Sequence, residues 1–286
     1  MATPLVSVKM ITYNHKSYIR QAIECVLAQK TNFTFELVIG EDYSTDGTRE
    51  IVFDYAKRYP DIIRVITSEQ NVGMKKNGKR TADACRGKYI AYCEGDDYWH
   101  NPQKLQKQVD FLEKNSNYEM VISDCNIFIN HRNKLKVNYN FNKGVKASKD
   151  LTLEDAFGYG DVHIFTCTAV INKETYDRII SGDPYLHQSD TFMMGDVQLW
   201  IELVLKYKVF YIAECQATYR VLQVSASFSK DQIKMIHFWA SGYEMRLYLC
   251  RKYNISGEVL KRTKLNYNNL QFRLAFYESN KKLAAQ

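Results

Sequence analysis

Tyr89-Ile90-Ala91-Tyr92-Cys93 runs directly into Glu94-Gly95-Asp96-Asp97-Tyr98-Trp99. The first five residues have the length and apolar character of a buried strand. The next four carry three carboxylates, which repel one another unless a cation or several N–H donors compensate. A hard divalent metal prefers such oxygens, and Gly95 lets the backbone approach a ligand closely. A plainer reading has Asp96 and Asp97 build a turn and cap the helix that starts near Pro102. This stretch alone leaves both readings open.

The residues around it alternate short apolar runs with helical spacing. Strands are predicted over 5–11, 35–40, 62–67 and 88–93, with helices over 18–28, 49–59 and 102–115. That β-α-β-α order implies an α/β fold with a parallel sheet covered by helices. In such sheets ligands bind beyond the carboxyl ends of the strands. Thr12-Tyr13-Asn14, Glu41-Asp42 and Glu94-Gly95-Asp96-Asp97 all fall at strand ends, so they are expected to converge on one crevice.

From about residue 116 the pattern changes. A strand is predicted over 120–129, then a polar loop or hairpin rich in Asn and Lys over 130–150. A strand over 166–171, a helix near 173–180, a loop over 181–195 and a helix over 196–207 follow, with strands near 209–212 and 217–221. Two more helices are expected. One has Ile233, Ile236, Ala240, Tyr243, Leu247 and Cys250 three or four apart, and the other lies within 257–283.

The chain has 286 residues, 45% of them hydrophobic and 25% charged, a composition that excludes disorder as its main state. No stretch approaches the roughly 20 apolar residues of a membrane span, and the first fifteen residues lack a secretory pattern. The seven cysteines form no C-x-x-C pair, which favours buried thiols in a reducing cytoplasm over disulfides or a zinc site. Residues 1–229 hold 28 basic and 28 acidic side chains, whereas residues 230–286 hold 11 and 4, so the tail carries the whole net charge of +7. Such a tail suits nucleic acid, anionic lipid or an acidic partner, and charge alone does not choose among them.

Four elements in order resemble the donor half of bacterial family 2 glycosyltransferases over about residues 4–115. They are the opening Val6-Ser7-Val8 through Asn14-His15 with Tyr18-Ile19, the run from Glu41 to Thr48, Asn71-Val72-Gly73, and the run from Gly87 to Trp99. The resemblance implies the GT-A nucleotide-diphospho-sugar transferase fold, a mixed, mostly parallel sheet between helices with a helical C-terminal extension. It divides the chain into a donor half, 1–115, an acceptor half of the same domain, 116–229, and the basic extension, 230–286. It also implies a divalent cation, Mn2+ or Mg2+, and inversion at the anomeric carbon. On this likeness Thr12 and Tyr13 flank the base of the nucleotide, Asp42 accepts from its ring N–H, and Asp96 is the metal ligand. Glu94 replaces the first Asp of an Asp-X-Asp element and Gly95 is its middle residue; a longer carboxylate still reaches a nucleotide or a metal-bound water.

The run from Phe192 to Trp200 resembles the family's downstream Gly-acid element on a helix, which makes Asp196 the general base. Its alternative role is an N-cap for the helix that follows. The chemistry fits these roles: a departing nucleoside diphosphate needs its charge stabilised, and single displacement needs one base for the incoming hydroxyl. His163 to Thr168 resembles the acceptor-side segment, Tyr98 and Trp99 suit a platform for a sugar ring, and Tyr219-Arg220-Val221 resembles a late element whose usual continuation is replaced by Leu222, Gln223 and Val224.

Gly73 to Lys79 also fits G-x-x-x-x-G-K, but the last position of a phosphate-binding loop is Arg80 where Ser or Thr is required. Arg80 remains the preferred contact to a donor diphosphate, because guanidinium binds phosphate in a fork. The histidines show no ligand spacing. The expected function is therefore a metal-dependent inverting transferase that moves a sugar, most naturally uridine-linked, to a saccharide or lipid-linked saccharide in bacterial surface polysaccharide synthesis. The rivals are a non-catalytic sugar-nucleotide or membrane-binding module and a nucleotidyltransferase, which would want a Gly-rich basic loop where Thr12 to His15 stand. The expected partners are a nucleotide sugar, its acceptor and an anionic membrane met through 230–286, at the inner face of the plasma membrane. No nucleic acid is expected, since Phe238, Trp239, Tyr243 and Tyr248 read as packing residues of a helix.

Overall fold

The computed structural model describes residues 3–223 and 231–284, so Val224 and the expected boundary at 229–230 lie outside the described residues. The chain begins β1 (Val6–Thr12), α1 (Ile19–Leu27), β2 (Phe35–Glu41), α2 (Thr48–Arg58), β3 (Ile63–Ile66), α3 (Met74–Asp83), β4 (Tyr89–Tyr92), β5 (Tyr98–Trp99) and α4 (Lys104–Lys114). Then come β6 (Tyr118–Ile129), β7 (Lys134–Lys136), α5 (Tyr139–Asn142), β8 (Lys149–Asp150), α6 (Leu153–Phe157), β9 (Val170–Asn172), α7 (Lys173–Gly182), α8 (Pro184–His187), α9 (Val197–Lys206) and β10 (Lys208–Val221). Two long helices follow, α10 (Gln232–Lys252) and α11 (Gly257–Ala284).

Ten strands form one mixed sheet in the order β3-β2-β1-β4-β9-β6-β10-β5, with β7 on β6 and β8 on β10. β3, β2, β1 and β4 are mutually parallel, β9 is antiparallel to both its neighbours, and β6 and β10 are parallel. The chain moves outward from β1 to β2 and β3, then returns to place β4 on the other side of β1. That reversal opens a crevice at the carboxyl ends of β1 and β4, where open α/β sheets bind ligands.

Apolar periodicity explains most of these elements. Ile19, Ala22, Ile23 and Val26 bury one stripe of α1 against Val6, Val8 and Met10 of β1. β4 is buried along its whole length, as an interior strand covered on both faces must be. The predicted hairpin over 130–150 is realised by β7 folding back on β6.

Three local expectations are corrected. Residues 73–80, a near-match to a phosphate-binding loop, instead begin helix α3, whose small face of Asn77, Gly78, Thr81 and Ala82 is turned into the protein. Gly40 makes that fit possible, since a Cβ there would lie 1.9 Å from the Thr81 hydroxyl. The strand predicted over 166–171 is a 3-10 turn, Thr166–Thr168, followed by the shorter β9. The two strands predicted at 209–212 and 217–221 are one strand, β10, whose pairing with β6 shifts between Ile212 and Ala217.

All seven cysteines are free thiols, five of them buried. α10 shares a core with α6, α8 and α9, including Phe157, Leu186, Ile201, Met245 and Leu249. A buried polar knot ties the same elements: Glu202 of α9 accepts from His187 (2.6 Å) and Lys252 (3.1 Å), and Tyr253 donates to it as well. These partners hold the Glu202 carboxyl down at about 2 despite its burial. Among the described residues no helix is long and apolar enough to cross a membrane.

Candidate active site

The ends of β1 and β2 are stitched together by backbone and side chain. Asp42 N–H donates to the Thr12 carbonyl (3.1 Å), and Thr45 N–H donates to the Asn14 side chain (2.9 Å). Asn14 (φ 54°) and Tyr43 (φ 61°) both occupy the left-handed region, an unfavourable place for a tyrosine that is tolerated where surroundings impose it. Glu41 imposes it here, its buried carboxylate accepting from Tyr43 N–H (3.2 Å), Ser44 N–H (2.6 Å) and Arg49 (2.8 Å). Tyr13 and Tyr43 are consequently held exposed at the rim.

Asp42 is buried, and its carboxylate accepts from Val72 N–H (2.9 Å) and Gly73 N–H (3.0 Å), fixing the entry to α3. Arg80 lies 3.4 Å from the same carboxylate and donates to Asn77 (2.9 Å) and to the Glu41 carbonyl (2.9 Å). Its guanidinium thus braces α3 against the end of β2 through Nε and Nη2.

The acidic turn after β4 closes through Asp97 N–H to the Glu94 carbonyl (3.0 Å). Gly95 is required by the protein itself: a Cβ there would meet the Thr12 hydroxyl at 2.5 Å, so its smallness seats the turn on the end of β1. Neither Asp96 nor Asp97 caps α4, whose N-cap is Gln103. Asp97 instead accepts from Arg220 N–H (2.7 Å), and among the described residues its other carboxylate oxygen has no partner. Arg220 also donates to the Asp96 carbonyl (2.7 Å) and to Gln21 (2.6 Å), with Tyr18 and Tyr98 against its guanidinium. The late element around Arg220 therefore locks the acidic turn from β10.

Across the crevice, Asp196 stands at the N-cap of α9, its carbonyl accepting from Leu199 N–H (3.0 Å) and Trp200 N–H (3.1 Å). Its side chain does not cap the helix. Oδ2 is held by the Thr166 hydroxyl, a bond the 3-10 turn makes possible, and among the described residues Oδ1 has no hydrogen-bond partner. One position starts the helix with its backbone and presents a carboxylate with its side chain.

The charges interact. Burial pushes the Glu94 carboxyl up to about 8, Asp96 and Asp196 add to the shift, and Lys9 opposes it. Burial likewise raises Asp97 well above the carboxylate range, with Cys167, Asp96 and Glu94 adding to it. The Asp96 carboxylate stands 4.0 Å from the His15 ring, the one ion-pair partner it has among the described residues. Such a surplus of poorly compensated carboxylate is what a divalent cation neutralises. Among the described residues no three His, Cys, Asp or Glu side chains enclose a metal on their own. The donor set thus fits a cation held by Asp96 and completed by diphosphate oxygens and water, the manner in which Mg2+ is usually bound.

The crevice gathers Thr12, Asp42, Glu94, Gly95, Asp96 and Asp196, with Tyr13 at the rim and Arg80 as a brace. Trp99 corrects the sugar-platform expectation: it is 3% exposed and its indole N–H donates to the Cys167 carbonyl (2.8 Å), so it is core. Trp239, read as packing, is exposed. His15, which has no ligand spacing, sits beside Thr12 (3.2 Å) and Asp96. Lys9, unremarked within β1, is partly buried, and the charges of Glu94 and Asp196 favour its protonated form. For these two the only available signal was a polar residue within or just after a strand.

Comparison with known proteins places the chain in a family. An uncharacterized Mycobacterium bovis protein is 46% identical over 108 residues, which are 38% of this chain and 31% of that one, so the chain spans about a third of the mycobacterial relatives it matches. The putative teichuronic acid biosynthesis glycosyltransferase TuaG of Bacillus subtilis is 29% identical over 79% of this chain and 83% of its own. Staphylococcus aureus TarS, solved with UDP-GlcNAc, superposes with a TM-score of 0.63 at 15% identity, covering 93% of this chain and 71% of that one. The mannosyltransferase PcManGT of Pyrobaculum calidifontis, solved with GDP-Man and Mn2+, gives 0.62 at 14% identity over 98% and 76%. At these identities the two structures establish the shared GT-A fold. The model of glycosyl transferase family 2 matches residues 7–179, and the chain belongs to that family.

Proposed function

We propose that the protein transfers a sugar from a nucleoside diphosphate donor, with inversion, to a saccharide or lipid-linked saccharide during bacterial surface polysaccharide synthesis. The observation that carries this reading is the convergence of Glu94, Asp96 and Asp196 on the crevice whose other end is formed by Thr12 and Asp42. TuaG supports the polysaccharide setting and TarS the uridine donor.

The nucleoside lies at the β1–β2 end, between the exposed rings of Tyr13 and Tyr43, with Asp42 offering its remaining lone pairs to the base. Asp96 would hold a divalent cation, which when bound would stabilise the charge of the departing diphosphate. Arg80 donates to the diphosphate. Asp196 Oδ1 takes the proton of the acceptor hydroxyl, while the Thr166 hydroxyl on Oδ2 fixes the carboxylate's orientation. A single base on the acceptor side is what direct displacement requires. A screen of nucleotide sugars by thermal shift with Mn2+ tests the reading, because a true donor stabilises the fold by an amount that grows with the logarithm of its concentration over its Kd. Failure of every nucleotide sugar to raise Tm would reject it.

Asp42→Ala is expected to weaken uridine nucleotide binding about tenfold or more, the scale of a lost charge-assisted hydrogen bond. An unchanged Kd by calorimetry, in a variant that still melts cooperatively, removes Asp42 from base recognition.

The tail gives the proposal its membrane side. Leu265, Phe272 and Phe276 of α11 are exposed, as are Lys261, Arg262 and Lys264. Arg262 is partly engaged, stacking on Tyr159 and donating to its carbonyl (3.3 Å), so Lys261 and Lys264 are the freer charges. Basic side chains at an anionic surface contribute about 1 kcal/mol each before screening. The full chain is expected to co-sediment with anionic but not zwitterionic liposomes and to be released by salt. Neutralising Lys261, Arg262 and Lys264 together should weaken that association and spare transfer to a soluble acceptor. Equal partitioning to both liposome types, or to neither, contradicts it.

A further inference from the structure

His15 stands between the end of β1 and the acidic turn. Its carbonyl accepts from Tyr18 N–H (2.8 Å) and Ile19 N–H (2.9 Å), which fixes its backbone at the start of α1. Its ring Nδ1 lies 3.2 Å from the Thr12 hydroxyl, and Nε2 lies 4.0 Å from Oδ2 of Asp96. The ring also packs against the turn, since a Cβ on Gly95 would meet Nδ1 at 3.0 Å. Both partners remain open to the crevice, the His15 side chain being 21% and the Asp96 side chain 19% exposed. Starting α1 takes only the His15 backbone, so the helix gives no reason for a ring nitrogen beside a carboxylate.

The two contacts decide which nitrogen carries the ring proton. A neutral imidazole has one N–H and one acceptor nitrogen, whereas a hydroxyl proton rotates to suit its surroundings. Thr12 is buried, and its hydroxyl can donate to Nδ1, which leaves the ring N–H on Nε2, facing Asp96. The opposite tautomer would set a bare nitrogen lone pair against a carboxylate oxygen. Asp96 has a use for such a donor. Arg220 grips its backbone carbonyl (2.7 Å), while among the described residues no hydrogen bond holds its carboxylate. A carboxylate free to rotate loses that freedom when it takes a ligand, and a donor on one oxygen offsets the loss by orienting the other. A separation of 4.0 Å is longer than a hydrogen bond, and rotation of the free carboxylate shortens it. Contacts of this kind tighten when the ligand arrives.

We propose that His15 is a positioning residue: its Nε2–H donates to Oδ2 of Asp96 and turns Oδ1 toward the cation, while the Thr12 hydroxyl on Nδ1 fixes the tautomer. The proposal rests on the cation reading of Asp96 and adds the residue that presents its carboxylate. It is tested on the full chain by calorimetric titration of UDP, with Mn2+ and with excess EDTA. His15→Ala is expected to weaken UDP binding about 10- to 100-fold with Mn2+, the usual scale for losing the partner of a metal-bound carboxylate, and to leave the value in EDTA within about twofold of the parent. His15→Gln places an amide N–H near the position of Nε2 and should recover most of the loss. His15→Asn, whose amide reaches only as far as Nδ1, should not. That contrast separates positioning from packing, and the glutamine variant guards against a folding defect in the alanine one. Equal loss in both media would put the ring on the nucleotide, and no loss, or glutamine and asparagine behaving alike, would make it a packing residue; each overturns the proposal. A parent protein whose UDP affinity is the same with Mn2+ and with EDTA overturns the cation reading first, and the role of His15 with it.

Discussion

Asp196→Asn is expected to slow glycosyl transfer by roughly 10²- to 10⁴-fold while leaving donor affinity near that of the parent, the range spanned by loss of a positioned general base. The geometry makes the substitution informative. Asparagine still accepts from the Thr166 hydroxyl through its carbonyl oxygen, so the side chain keeps its orientation. The helix start is also preserved, because the backbone carbonyl of residue 196, not the side chain, receives the first N–H groups of α9. Only proton acceptance is removed. Steady-state kinetics read the result directly: kcat falls and the donor KM stays. A donor-binding defect with normal turnover would make Asp196 structural.

The second large effect belongs to Asp96→Asn. Stabilising a departing diphosphate through a cation is worth several kcal/mol, and each 1.36 kcal/mol is a factor of ten, so a loss of about 10³-fold or more in turnover is expected. The loss should extend to Mn2+-dependent nucleotide binding, which Asp196→Asn spares. The neighbouring scaffold should survive, because Arg220 grips the backbone carbonyl of Asp96 and the carboxylate of Asp97, leaving the Asp96 carboxylate outside the lock. Retention of Mn2+-dependent UDP binding by a folded variant refutes the metal assignment.

The parts of the fold carried by simple periodicity were legible in the sequence. β1, β2 and β4 announce themselves as short apolar runs, and α1 by its stripe from Ile19 to Val26. The acidic turn was legible because three carboxylates after a buried strand are chemically conspicuous. α3 was not, since Gly78, Lys75, Lys76 and Lys79 are poor evidence for a packed helix and the helix forms because Asn77 and Thr81 fit against Gly40. β10 was read as two strands because its pairing shifts partway interrupt the alternation. Trp99 looked like a ligand platform from its place beside the acids, whereas the next strand turns it inward over Lys104. The contribution of Arg220 was invisible for another reason: it reaches the acidic turn from 124 positions away, so tertiary convergence alone reveals it.

The most direct test of the account is calorimetric titration of UDP into the full chain, once with Mn2+ and once with excess EDTA, for the parent and for Asp96→Asn. Tight binding by the parent with Mn2+, weakened sharply both by EDTA and by Asp96→Asn, is the predicted result. UDP binding that is absent, or that is the same in all four titrations, would contradict a nucleotide-sugar site built on the carboxylates after β4.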